Sequence, residues 1–266
     1  MPKALAAITG ASAGLGAVFA RKLAARGHDL LLIARRGDRL NQLASELERA
    51  NGTASEICVA DLAVTEDLER VAQRLSAEPR LALLVNNAGF GIPGAFLKSS
   101  IEEQARMHRV HIDATLRLTH AALGGMMERR AGGIINVSSV AAFVRSRGSV
   151  SYCATKSWIN AFTEGLYLEL HRAGSPVKVQ ALCPGFTYTE FHDVAGVDRA
   201  TIPKWLWLTA ERVVDASLAG LDRGDLFVVP GWKYKLIVAF MSTLPARLRI
   251  AAEQWSPHRR DPSRAK

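Results

Sequence analysis

Cysteine is scarce in this 266-residue chain: Cys58, Cys153 and Cys183 lie far apart, and no CxxC pair occurs. That excludes a disulfide framework and a cysteine zinc site, so no metal is expected, and it fits a reducing, cytoplasmic setting. No stretch approaches the roughly eighteen consecutive apolar residues that a membrane span needs. The opening MPKALAAITG is apolar, but the run is short and ends in glycine, so it reads as a buried strand and not as a leader. No internal repeat and no low-complexity linker breaks the chain, which makes one domain the economical reading. Acids are too few to balance the bases, 25 against 34, and the net charge is +9. Six of those nine charges come from Trp232 to Lys266, where eight Lys/Arg meet two acids. The excess therefore belongs to a basic tail. No basic patch with interleaved aromatics occurs ahead of it, which argues against nucleic acid.

What the chain does have is a rhythm. ALAAIT precedes GLGAVFARKLAARG, DLLLIA precedes GDRLNQLASELERANG, and TASEICVA precedes AVTEDLERVAQRLSAEP. LALLVNNAG, GGIINVSS, PVKVQALCPG and DLFVVPG continue the series. Short apolar runs separated by helical patterns predict βαβ units, hence an α/β fold with a doubly wound parallel sheet and helices on both faces. Gly27, Gly52, Gly174 and Gly224 sit where helices should stop.

Glycines 10, 14 and 16 follow the first run in ITGASAGLGAVFA, between a strand and a helix. Glycines there permit a tight turn and close backbone approach, and the helix N-terminus offers free N–H groups to a pyrophosphate. The spacing is GxxxGxG, not GxGxxG, so position in the alternating series carries the inference. After the second run the chain reads Ala34, Arg35, Arg36, and the first acid, Asp38, falls inside the next helix. An acid at that point would accept the adenosine ribose; two arginines without one suit a 2′-phosphate. NADP(H) is the expected cofactor. Further on, YCATK sets Tyr152 and Lys156 four residues apart, on one face of a helix, where an ammonium would favour a phenolate. An amphipathic helix can also carry such a pair by chance.

In order along the chain stand TGASAGLG (9–16), DL (61–62), NNAG (86–89), NVSS (136–139), YCATK (152–156) and PGFTYT (184–189). With these motifs the chain resembles the short-chain dehydrogenase/reductase family in its single-domain, Rossmann-type form, over roughly residues 3 to 230. The resemblance implies a cofactor loop of Gly10, Ser12, Gly14, Leu15 and Gly16, with Arg35 and Arg36 beside it. It implies Asp61 and Leu62 at the adenine, Asn87, Ala88 and Gly89 along the cofactor, and Pro184, Gly185, Thr187 and Thr189 at the nicotinamide end. Ser139, in preference to its neighbour Ser138, is implied as the catalytic serine, Tyr152 as the proton donor, and Lys156 as the residue that tunes the phenol and binds the ribose. One position departs from the family. About forty residues before the tyrosine, where an asparagine shapes a helix bend and helps hold a water, this chain has His111. It either keeps part of that role or is tolerated packing.

Residues 186–209 break the rhythm and read as a lid, with Phe186, Tyr188, Phe191, Trp205, Leu206 and Trp207. We divide the chain into a catalytic domain, 1–230, and a C-terminal helix with basic tail, 231–266. In the latter, Leu236, Ile237, Phe240, Met241 and Leu244 recur at helical spacing over 233–250, flanked by Lys and Arg. That stretch is either a cap or subunit contact, or an amphipathic helix touching a membrane surface. The function expected is NADPH-dependent reduction of a carbonyl, a ketone or a 3-oxoacyl or other lipidic chain, in a homo-oligomer of two or four subunits. The alternative is a non-catalytic NADPH-binding sensor or scaffold on the same fold.

Overall fold

A computed structural model describes residues 3–191, 196, 198–248 and 250. All seven apolar runs become strands: β1 (Leu5–Thr9), β2 (Asp29–Ala34), β3 (Ser55–Val59), β4 (Leu81–Asn86), β5 (Gly133–Val137), β6 (Lys178–Leu182) and β7 (Phe227–Val228). They form one parallel sheet in the order β3-β2-β1-β4-β5-β6-β7. The alternation of faces shows in β2. Leu30, Leu32 and Ala34 enter the core on one side, whereas Leu31 and Ile33 enter the core on the other. Because both faces are covered, β2 is apolar from Leu30 to Ala34, after the partly buried Asp29 at its start.

The first layer holds α1 (Gly14–Ala25), α2 (Gly37–Asn51) and, late in the chain, α7 (Ala210–Arg223); the second holds α3 (Thr65–Ser76) and α5 (Ala114–Glu128). Leu40, Leu43 and Leu47 form the buried stripe of α2, and Leu68, Val71 and Leu75 that of α3, the spacing of helices lying on a sheet. Gly52 and Gly224 close α2 and α7 with φ of 59° and 83°, as their positions in the sequence foretold. Helix α4 (Ile101–His108) runs through a π-turn at Arg109–Asp113 into α5, and α6 (Val150–Arg172) carries the Tyr–Lys pair.

Strand order reverses between β1 and β4, so the chain diverges there and leaves a crevice at the strands' carboxyl ends. Thr9 ties its floor together. Its hydroxyl donates to the Val85 carbonyl and accepts from the backbone N–H groups of Asn87 and Ala88, both at 2.9 Å. Deeper, Asn86 donates to Asn136 Oδ1 and Thr119, and Asn136 donates to Thr163, so a buried polar chain crosses β4, β5, α5 and α6.

The expected helix over 233–250 is interrupted, with helical backbone resuming at 246–248. Helix α8 spans Trp232–Thr243; Leu244 is extended ahead of Pro245, whose ring disfavours helical backbone in the preceding residue. Most of its stripe is uncovered, although Ile237 borders the cavity. Tyr234 is the buried residue, while Leu236, Ile237 and Phe240 are exposed. Of the basic tail, Arg249 and everything from Ala251 onward lie outside the described residues.

Candidate active site

Along the carboxyl ends of the strands lies a cavity of ≈ 850 Å³. Every residue expected from the motifs to hold a cofactor, apart from Gly16, lines it. The glycine loop shows why side chains are excluded from one wall. A Cβ on Gly10, where φ is +66°, would come within 2.8 Å of Asn87 Nδ2, and one on Gly16 would lie 2.3 Å from the Gly10 carbonyl oxygen. Asn87 itself is pinned by donating to the Thr9 carbonyl at 2.8 Å. Helix α1 begins immediately afterwards, with Ala13 at its N-cap and no side-chain cap on its first N–H groups. A bare helix N-terminus behind a backbone cradle fits the phosphates of a dinucleotide.

At one end of the cavity stand Arg35 and Arg36, as expected. No acid adjoins them in the sequence, but the fold brings one to Arg36. Glu190, remote in sequence, accepts from Arg36 at 3.0 Å and from Arg39 at 2.6 Å, and the Arg36 Nε donates to Ser12 Oγ at 3.1 Å. Neither Arg39 nor Glu190 is legible as a site residue, because ion pairs between elements leave no mark on local spacing. Asp61 lines the cavity and takes the Arg106 guanidinium, another partner from a distant helix.

At the other end Ser139, Tyr152 and Lys156 converge. Both serines border the cavity, but Ser138 is buried with its hydroxyl donating to the Lys156 carbonyl, whereas Ser139 is half-buried beside Tyr152. The Ser139 oxygen accepts from the Ala141 N–H at 3.1 Å; its proton has a long 3.5 Å contact to the Pro184 carbonyl and also serves the Tyr152 oxygen.

The expectation paired the lysine with a positively charged nicotinamide; in the protein alone the lysine does not draw the phenol down. Burial pushes the Tyr152 hydroxyl well above its ordinary value, and a hydrogen bond from Ser139 offsets this only in part. Lys156, 4% exposed, is itself pushed down to about 8 by burial; its ammonium donates to the Val137 carbonyl at 2.7 Å and lies 5.7 Å from the Tyr152 ring centre. The i, i+4 spacing does place both groups on one face. In the protein alone, desolvation outweighs their attraction.

His111 is fully engaged by the protein. The Phe90 N–H donates to Nε2 at 3.1 Å, so the neutral ring carries its proton on Nδ1, 2.9 Å from Thr155 Oγ1. Thr155 passes the bond to the Tyr152 carbonyl at 2.9 Å. Burial and the nearby Lys156 and His108 hold the imidazole well below its usual range, that is, neutral. With both nitrogens committed, the ring has none left to hold a water. It braces the start of α6 against the loop after β4, from within the π-turn.

The expected lid residues form the remaining wall together with a residue that sequence pattern did not single out. Phe186, Phe191 and Leu206 face the cavity, Tyr188 stacks on Trp207, and Trp205 is exposed. Tyr234 of α8 accepts from the Phe186 N–H and donates to the Leu206 carbonyl at 2.6 Å. Its ring occupies the place a Gly185 side chain would need. Thr187 is buried and donates to the Gly185 carbonyl, and Thr189 packs against Gly14. Residues 192–195 and 197, inside the lid, are outside the described set. Among the described residues, no cluster of His, Cys, Asp and Glu could hold a metal.

The chain matches the family model for short chain dehydrogenase over residues 4–199. It is similar to a short-chain dehydrogenase from Sphingobium yanoikuyae solved in complex with NADPH, at 35% identity and TM-score 0.82, covering 92% of this chain and 97% of that one. A bulky-bulky ketone specific alcohol dehydrogenase from Comamonas testosteroni is 31% identical, with TM-score 0.78 and 92% and 96% of the two chains covered. A 3-oxoacyl-[acyl-carrier-protein] reductase of Aquifex aeolicus is 30% identical over 69% of this chain and 73% of its own length.

Proposed function

The chain belongs to the short-chain dehydrogenase/reductase family of oxidoreductases, and from that premise we propose that it is an NADPH-dependent reductase of bulky, apolar ketones, 3-oxoacyl chains among them. The observation that carries the proposal is one cavity with two ends: Arg35 and Arg36 at the first, Ser139, Tyr152 and Lys156 at the second. The walls beyond Tyr152, made by Phe191, Leu206, Tyr234 and Ile237, are apolar and favour a hydrophobic substrate. The similar proteins that act on ketones and 3-oxoacyl groups support the same class.

A bound reduced nicotinamide dinucleotide would supply hydride for the carbonyl carbon. Gly10, Ser12, Gly14, Leu15 and Gly16 with the start of α1 would hold its phosphates, Asp61 and Leu62 its adenine, and Asn87, Ala88, Gly89, Pro184, Gly185, Thr187 and Thr189 its length. The protein's own part is the proton. Tyr152 keeps its hydroxyl proton at neutral pH because burial disfavours the phenolate, which suits a donor in the reductive direction. Ser139 donates to the substrate oxygen as negative charge gathers there, and Lys156 offsets the charge left on the phenolate after the proton departs. His111, through Thr155, holds the first turn of α6 so that the phenol keeps its place.

Two assembly proposals accompany this one. Helix α8 presents Trp232, Leu236 and Phe240 at 62–63% exposure, with Lys233 and Lys235 between them and no acid in its length. We assign this face to an anionic lipid surface next to the cavity wall that Ile237 and Tyr234 form. The faces of α5 and α6, where Leu116 and Leu168 are exposed, are proposed to join two or four copies. Among the described residues no helix is long and apolar enough to cross a membrane.

The test is NADPH consumption with aryl ketones, 3-oxoacyl esters of rising chain length and small aldehydes. Turnover should favour the bulky apolar ketones. NADPH binding without turnover of any of them would favour the non-catalytic sensor instead.

A further inference from the structure

Glu190 is the residue that the reading above does not use. It follows Thr189 directly, at the start of the lid, and its carboxylate bridges Arg36 at the N-cap of α2 and Arg39 one turn later. Arg36 continues the bridge to Ser12 in the glycine loop. A line of contacts thus runs from the lid across the mouth of the cavity to the phosphate cradle. Both Arg36 and Glu190 line that cavity. The guanidinium groups hold the Glu190 carboxyl below the usual carboxylate range, Arg39 contributing most, so it is charged at neutral pH.

We propose that Glu190 is an internal counter-anion of the 2′-phosphate subsite, which neutralises Arg36 and Arg39 and latches the first turn of the lid to α2 until a phosphate displaces it. The proposal rests on the reading that the arginines after β2 receive the 2′-phosphate of NADPH. A 2′-phosphate reaching Arg36 brings up to two negative charges to within a few ångströms of the Glu190 carboxylate. Two anions at that range repel, so one must give way. NADH brings no such charge and leaves the latch closed. Glu190 therefore sets the margin between the two cofactors and couples the adenosine end to Thr187 and Thr189, which lie on the same short segment.

The experiment measures binding, without turnover, of adenosine 2′-monophosphate, adenosine 5′-monophosphate, NADPH and NADH to the full chain and to Glu190→Gln and Glu190→Asp. Exposed ion pairs are individually weak, so the change expected is modest. Glu190→Gln should bind the 2′-monophosphate and NADPH about three- to tenfold more tightly, with NADH and the 5′-monophosphate unchanged within about twofold. Glu190→Asp, which keeps the charge, should stay near the parent. Limited trypsin digestion of the lid segment should be faster in Glu190→Gln, and in the parent should be speeded by the 2′-monophosphate and not by the 5′-monophosphate. If Glu190→Gln weakens all four ligands alike, Glu190 is a clasp that aids binding and the inference is overturned. If the parent prefers the 2′-monophosphate but Glu190→Gln gains nothing, the counter-anion role alone falls. If the parent does not distinguish the 2′- from the 5′-monophosphate, the phosphate reading falls and takes the inference with it.

Discussion

Replacing Lys156 with Met should make the protein more stable while removing its activity. The side chain is 4% exposed, and its pKa stands at about 8 in the folded state against the ordinary 10.5. At roughly 1.4 kcal/mol per unit, the charged form costs the folded protein about 3 kcal/mol at neutral pH. Met keeps most of the stem's packing and removes the charge; the 2.7 Å bond to the Val137 carbonyl is lost, which returns about 1 kcal/mol. The net gain is about 2 kcal/mol, or about 4–8 °C in Tm for a chain of this size. The pH dependence carries its own signature. Because the folded pKa lies below the unfolded one, the unfolded chain binds the extra proton between about pH 8 and pH 10.5, and the parent gains stability as pH rises through that window. The variant's advantage should therefore be full at pH 7 and mostly gone by about pH 10. Thermal melts of the cofactor-free proteins at pH 7, 8.5 and 10 read it directly, beside assays of NADPH turnover and binding. Turnover should fall by about a hundredfold or more, the loss expected of a group that aids proton transfer. A lower Tm at pH 7, or a difference in Tm that does not shrink with pH, would refute the desolvation argument.

Tyr152→Phe should lower kcat by about 10²- to 10⁴-fold with NADPH binding within about twofold, since the phenol is asked only for its proton; retention of most activity sinks the mechanism. Arg35→Asp/Arg36→Leu should weaken NADPH by about 10- to 100-fold in a fluorescence titration and spare NADH, as charged hydrogen bonds to a phosphate are lost; a parent that binds NADH as tightly as NADPH contradicts it. His111→Ala should cost about 2–4 kcal/mol in denaturant unfolding, because the Phe90 N–H and the Thr155 hydroxyl lose a buried partner. In the parent, His111 is held neutral while the unfolded ring takes a proton below its ordinary 6.5, so its contribution to stability is lost as pH falls below that value, and the variant's pH slope there should be shallower. Anionic vesicles should co-sediment the full chain at low salt, salt should weaken this, and Leu236→Ser/Phe240→Ser should abolish it; indifference of the parent to vesicles would leave the α8 face to a second copy of the chain, read by sedimentation.

The sheet was legible because its cause is local. A strand buried on both faces must be apolar along its buried length, and DLLLIA coincides with β2, apolar and buried from Leu30 to Ala34. Helix ends were legible for the same reason: Gly52 and Gly224 adopt the left-handed backbone that stops α2 and α7. Glycines 10, 14 and 16, the Tyr152–Lys156 spacing and the order of the six motifs were enough to point to the family and to the cavity that most of those residues share. Tertiary structure decided what depends on distance across the fold. Ser138 and Ser139 are adjacent in the sequence, yet only the packing of α6 against β5 commits the hydroxyl of one to the Lys156 carbonyl and sets the other beside the Tyr152 phenol. Tyr152 and Lys156 are neighbours on one turn, but whether the pair attracts or desolvation rules is set by the depth of protein around them. The apolar stripe of α8 was read from its period, and its direction was not, because a period does not say which side meets the sheet. Glu190 reaches Arg36 and Arg39 only because the loops after β2 and β6 open onto the same crevice, and no local pattern records a contact between residues some 150 positions apart.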